Sequence, residues 1–107
     1  MTDILHRCPQ MGTHRLVVQG PLTIYDAQAL KNRLLELLGQ TPLQTLELDL
    51  TQVPEIDTSG VQLLLLAARE AQRIEAAVHT VAASEAVREV LEFCSLEVAL
   101  GLTPAST

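Results

Sequence analysis

Four consecutive residues, Asp57-Thr58-Ser59-Gly60, place one carboxylate and two hydroxyls directly ahead of a leucine-rich segment. This pattern fits a helix N-terminus, where an Asp or Thr oxygen accepts hydrogen bonds from orphan amides and Gly lets the backbone turn. A hydroxyl at such an end can also carry a phosphate, whose charge of about −1.5 to −2 is favoured by the helix dipole. The remaining reactive residues are dispersed. His6, His14 and His79 have no partner at i+3 or i+4, so spacing points to no metal site. His79 lies in an apolar run and reads as a structural histidine of a buried strand. Cys8 and Cys94 form no CxxC pair and have no basic cluster beyond Arg7, so a catalytic thiol is not expected. Dinucleotide, P-loop and nucleophile-elbow motifs do not occur. Neither enzymatic activity nor a cofactor is therefore expected.

The elements that position these residues follow from periodicity. Two strands, over residues 2–8 and 14–19, flank the turn-forming Pro9-Gln10-Met11-Gly12 and suggest a hairpin. After Gly20-Pro21, the stretch Leu22-Thr23-Ile24 could add a short strand. Asp26 is the expected cap of a helix whose inner face is Ala27, Leu30, Leu34, Leu37 and Leu38. Gly39 and Pro42 would end it. From Leu43 to Leu50, the leucines at 46, 48 and 50 alternate with polar residues, which is a strand pattern. A loop with Pro54 then leads into Asp57 and a helix reaching about Ile74. Residues 77–82 form a short apolar strand. Ser84 caps a last helix with Val87, Val90, Leu91 and Cys94 inward. Strands alternating with helices imply an α/β domain with a mostly parallel sheet and an N-terminal antiparallel hairpin.

At ~100° per residue, Val61, Leu64, Leu65, Ala68 and Ala71 form one face of the long helix, the expected core stripe. Leu63 and Leu66 fall on another face with Gln62, Arg69, Glu70 and Arg73 nearby. Ser59 projects toward that second face. Leu63 and Leu66 are either covered by the last helix or form an exposed docking patch with Ser59 at its rim.

Composition narrows the class of partner. The chain has 107 residues, 48% of them hydrophobic and 19% charged, which suits one globular domain. That domain is expected over residues 1–102, with 103–107 as a frayed tail. One Tyr, one Phe and no Trp leave no stacking platform for single-stranded nucleic acid. A net charge of −6 argues against a duplex-binding surface. The apolar run from Val61 to Ala68, interrupted by Gln62, is far shorter than the ~20 residues of a membrane span. With no positively charged, apolar leader at the N-terminus, reduced thiols and a cytoplasmic location are expected.

The segments Leu46-Glu-Leu-Asp-Leu-Thr-Gln-Val53, Ile56-Asp-Thr-Ser-Gly-Val-Gln-Leu-Leu64 and Ser84-Glu-Ala-Val-Arg-Glu-Val-Leu-Glu92 together resemble a STAS domain, the sulfate-transporter and anti-sigma-factor-antagonist family. The resemblance runs from about His14 to Leu102. It implies a small α/β fold with helices largely covering one face of the sheet. It also implies a non-enzymatic, phosphorylation-controlled role in partner switching, signal transduction and transcription regulation. By position, Ser59 matches the residue phosphorylated by an anti-sigma factor that is also a serine kinase. Asp57, Thr58, Gly60 and Asp49 would support the switch, while Leu63, Leu66 and Gln62 would meet the protein partner. Thr23 stands where the family often carries an acidic residue, in Gly20-Pro21-Leu22-Thr23. The alternative within the family is an unphosphorylated scaffold subunit of a chemosensory complex or a phospholipid-trafficking ABC transporter.

Overall fold

A computed structural model describes residues 2–40 and 44–102. Pro42, the start of the expected strand at Leu43 and the tail 103–107 lie outside the described residues. The elements run β1 (Asp3–Gln10), β2 (Thr13–Gln19), α1 (Ile24–Gln40), β3 (Thr45–Gln52), α2 (Thr58–Arg73), β4 (Ala77–Ala83) and α3 (Glu85–Phe93). The four strands form one sheet in the order β1-β2-β3-β4. β1 is antiparallel to β2, with Leu5 opposite Val17, and β2–β3 and β3–β4 are parallel, with Leu16 beside Leu48 and Leu48 beside Thr80. The α/β class, the opening hairpin and the mostly parallel sheet are those expected from the sequence.

Alternation along the strands sorts the side chains into two faces. Ile4, Leu16, Val18, Leu46, Leu48 and Leu50 face one core with Leu30, Leu34, Leu37 and Leu38 of α1 and Leu64, Ala67 and Ala71 of α2. On the other face Arg15 pairs with Glu47 at 2.9 Å. Val87 and Leu91 of α3 join the same core. The Ser84 hydroxyl caps α3 by accepting from the Val87 amide (3.3 Å) and donates to the Val53 carbonyl (2.6 Å).

Several local expectations are corrected. The leucine after Pro21 contributes only an isolated bridge to Ile56, and Ile24 already belongs to α1. Asp26 lies inside the first turn, where its carboxylate accepts from the Thr2 hydroxyl at 3.2 Å; the amides of Asp26 and Ala27 are instead taken by the Thr23 carbonyl. Gly39 sits within α1, which continues to Gln40. β4 stands at the sheet edge, leaving His79 exposed; its buried residue is Thr80, whose hydroxyl donates to the Leu100 carbonyl at 2.8 Å. Cys94 is the exposed C-cap of α3, one turn beyond its buried face.

Candidate functional site

The site is built where two loops zip together ahead of two helices. The loop after β2 and the loop after β3 exchange backbone hydrogen bonds: the Gly20 amide to the Gln52 carbonyl, Leu22 to Glu55, and Asp57 back to Leu22, each at 3.0–3.1 Å. This brings the first residues of α1 and α2 side by side. One carboxylate then serves both. Asp57 Oδ1 accepts from the Gly60 amide at 3.1 Å, and Oδ2 accepts from the Ile24 amide at 3.0 Å. The Ile24 amide is the chief reason that the Asp57 carboxyl is held below its ordinary value, with desolvation opposing it and the Gly60 and Ser59 amides assisting. Asp57 is therefore a charged clamp at the positive ends of two helix dipoles.

Gly60 is required by proximity. A Cβ on it would run into the Leu22 carbonyl oxygen and lie 2.8 Å from Ile56 Cγ1. Only a hydrogen at this position lets α2 start so close to the loop that feeds α1. Thr58, the first residue of α2, is exposed, and Ser59, the second, is half-buried. Thus Asp57, Thr58, Ser59 and Gly60 do converge at the start of α2. Asp49 does not join them through its hydrogen bonds. Its Oδ1 accepts from the Thr51 hydroxyl (2.7 Å) and amide (3.0 Å), stiffening the end of β3.

The docking face differs from the sequence reading. The buried residues of α2 are Gly60, Val61, Leu63, Leu64, Ala67, Ala68 and Ala71. At ~100° per residue, the centre of this stripe is turned by about 50° toward Leu63 relative to the expected one. Leu65 is consequently only half-buried, and Leu63 is 7% exposed, so its reading as part of an exposed docking patch is corrected. The cause is α1, which packs alongside α2; the expected cover, α3, is not what lies there. Leu63 forms the floor of a groove of about 260 Å³ between the two helices, with Leu66 half-buried beside it and Gln28, Lys31, Gln62 and Arg69 around it.

Two further exposed apolar residues were not singled out in the sequence. Ile24 and Tyr25 open α1 next to the Asp57 clamp, and they are 66% and 94% exposed. The signal was present in the adjacent Ile-Tyr pair, but assigning Ile24 to a strand hid it. A second missed grouping lies in the hairpin. His6 Nε2 and His14 Nδ1 are 2.7 Å apart, and Cys8 Sγ is 3.7 Å from each nitrogen. Three residues that look scattered in sequence are neighbours in space.

The strand, the clamped Asp57 and the Ser-Gly helix start belong together in one known pattern. The STAS domain profile matches residues 10–104. The chain belongs to the STAS domain family. Its fold is similar to an anti-sigma factor antagonist from Mycobacterium paratuberculosis, with a TM-score of 0.81 at 21% identity over 98% of this chain and 87% of that one. It is also similar to the anti-sigma factor antagonist SpoIIAA in its unphosphorylated form, with a TM-score of 0.75 at 20% identity over 88% of this chain and 82% of that one. The Bacillus cell fate determinant SpoIIAA in its phosphorylated form gives a TM-score of 0.71 at 19% identity, over 90% and 86%. No curated protein matches the chain by sequence. At these identities the likenesses establish the fold. Among the described residues, no helix of this STAS domain is long and apolar enough to cross a membrane.

Proposed function

We propose that this STAS domain is a phosphorylation-controlled protein-interaction module of the anti-sigma-factor-antagonist type, with Ser59 as the switch. The observation that carries this reading is the double clamp at Asp57, which fixes a serine at the paired starts of two helices beside exposed apolar residues. The docking surface is Ile24, Tyr25, Leu66 and Gln62, with Leu63 as the groove floor. Aromatic and aliphatic side chains in such a position supply contact area that a partner can desolvate. Thr58 and Gly60 support the switch by shaping the helix start, and Asp49 supports it indirectly by holding the end of β3.

Phosphorylation of Ser59 by a kinase-type anti-sigma factor places a doubly charged group at this surface. The helix dipoles favour it, and the Asp57 carboxylate opposes it both by like charge and by already holding the amides of Ile24 and Gly60. The net result is a strongly hydrated group that a partner must strip of water before it can dock. No rearrangement of the fold is needed for such a switch; in this reading the module acts in partner-switching control of transcription inside the cell.

The test is phosphopeptide mapping of the protein isolated from its native host under conditions that inhibit phosphatases. Phosphate on Ser59 supports the proposal. A peptide carrying unmodified Ser59 under every growth condition, together with constitutive capture of the same partner, supports instead a scaffold subunit of a transport or chemosensory complex.

A further inference from the structure

The hairpin places a third kind of chemistry away from the Ser59 surface. His6 and Cys8 of β1 and His14 of β2 lie on the same side of the sheet as Ile4, Leu16 and Val18, at the end nearest the turn. Here the apolar row gives way to two imidazoles and a thiol. His14 is 9% exposed, His6 half-buried and Cys8 exposed, so the group runs from the core rim out to water. The two rings are parallel within 6°, with centroids 4.9 Å apart. With 2.7 Å between His6 Nε2 and His14 Nδ1, that centroid distance fits rings meeting edge to edge. Their nitrogens thus face one another across a single hydrogen bond.

We propose that His6, Cys8 and His14 form a binding site for a divalent zinc-like ion, with the fourth coordination position open to solvent. A tetrahedral zinc with bonds of about 2.0–2.1 Å to nitrogen and about 2.3 Å to sulfur separates its ligands by about 3.3 Å (N to N) and about 3.6 Å (N to S). The protein presents 2.7 Å and, twice, 3.7 Å. The sulfur edges already match; the two nitrogens must open by about 0.6 Å, and the rings must turn from their head-on contact so that both lone pairs converge on the ion, as their shared hydrogen bond is replaced by metal bonds. In the complex each imidazole carries its proton on the far nitrogen, so the ring that donated the shared hydrogen bond loses its near proton to solvent and takes one up on its far nitrogen, and Cys8 releases its thiol proton to solvent on binding as thiolate. Two imidazoles and one thiolate suit zinc better than magnesium or calcium, which take oxygen ligands.

The bound ion and thiolate carry +1 together; Arg33, the guanidinium that acts on His6, is paired with Glu36 at 3.6 Å, while Arg15, paired with Glu47 at 2.9 Å, and Arg7 lie on the opposite face of the hairpin. The site also sits where the β1–β2 register slips, between Arg7 and Gln10. A metal there ties the two strands at the point where the backbone ladder is irregular.

Cobalt(II) is the probe, because a bound thiolate gives it an intense near-ultraviolet charge-transfer band. The full, untagged chain, kept reduced by a non-chelating phosphine, is titrated with Co²⁺ and then with Zn²⁺. The expected result is one Co²⁺ per chain with that band, displaced by Zn²⁺. In Cys8→Ser and His6→Gln the affinity should fall by at least about tenfold with loss of the band in Cys8→Ser, while Cys94→Ser behaves as the parent. Circular dichroism verifies that each variant is folded, and both substituted side chains are exposed or half-buried. Absence of the band at excess Co²⁺, or a band that survives Cys8→Ser, overturns the proposal.

Discussion

Asp57 holds two helix starts with one carboxylate, and that gives a pH dependence of known sign. Its folded-state pKa is lowered, chiefly by the Ile24 amide, from the ordinary value of 3.8. Its stabilisation is therefore present in full above that value and is lost as the pH falls through the lowered folded-state value. Asp57→Asn should destabilise the domain near neutral pH, and urea midpoints of the two proteins should converge below pH 4. A gap that stays constant down to the acid transition would mean that the charge is not what clamps the helices. Gly60 tests the neighbouring contact. Its added methyl meets the Leu22 carbonyl, so Gly60→Ala should cost at least about 1–3 kcal/mol by urea unfolding, the range for overpacking a tight site. An ordinary helix-interior Gly→Ala change would stabilise by up to about 1 kcal/mol, so the sign decides.

At the scale of elements, α2 has one buried stripe and one edge that is proposed to dock the partner. Leu64, 3% exposed, faces the sheet, and Leu64→Ala should cost about 2–5 kcal/mol. Leu63→Ser belongs with it, since α1 and the core enclose that side chain. Tyr25→Ser should instead change stability by no more than about 0.5 kcal/mol and weaken partner binding at least tenfold, as read by calorimetry with the captured partner. If Tyr25→Ser binds like the parent, the docking surface lies elsewhere. The strands and helices were legible because Leu46, Leu48 and Leu50 alternate strictly and the α2 leucines recur at helical spacing. Two features were not, for separate physical reasons. The rotation of α2 toward Leu63 depends on α1 packing beside it, a tertiary contact that no periodicity within α2 encodes. The start of α1 was missed because its cap is Asp57, 33 residues away in the chain. For the same reason His6, Cys8 and His14 looked unrelated: cross-strand register, not sequence spacing, brings them together.

Across the whole molecule, a single core between the sheet and the three helices underlies the start of α2 and leaves the other face of the sheet to polar pairs such as Arg15–Glu47. The chain carries a net charge of −6, yet Lys31 and Arg69 border the groove, so a partner meets mixed charge around an apolar centre. A phosphate on Ser59 changes this surface locally and leaves the core untouched, so the unfolding midpoint should move little while affinity moves greatly. The most direct measurement is the dissociation constant of one partner, captured from the native host, for the unmodified chain and for the chain stoichiometrically phosphorylated at Ser59. A differential of about 3 kcal/mol corresponds to affinity weaker by about two powers of ten in the phosphorylated form, which is enough to exchange partners, and this is the expected result. Equal dissociation constants for the two forms would contradict a Ser59 switch.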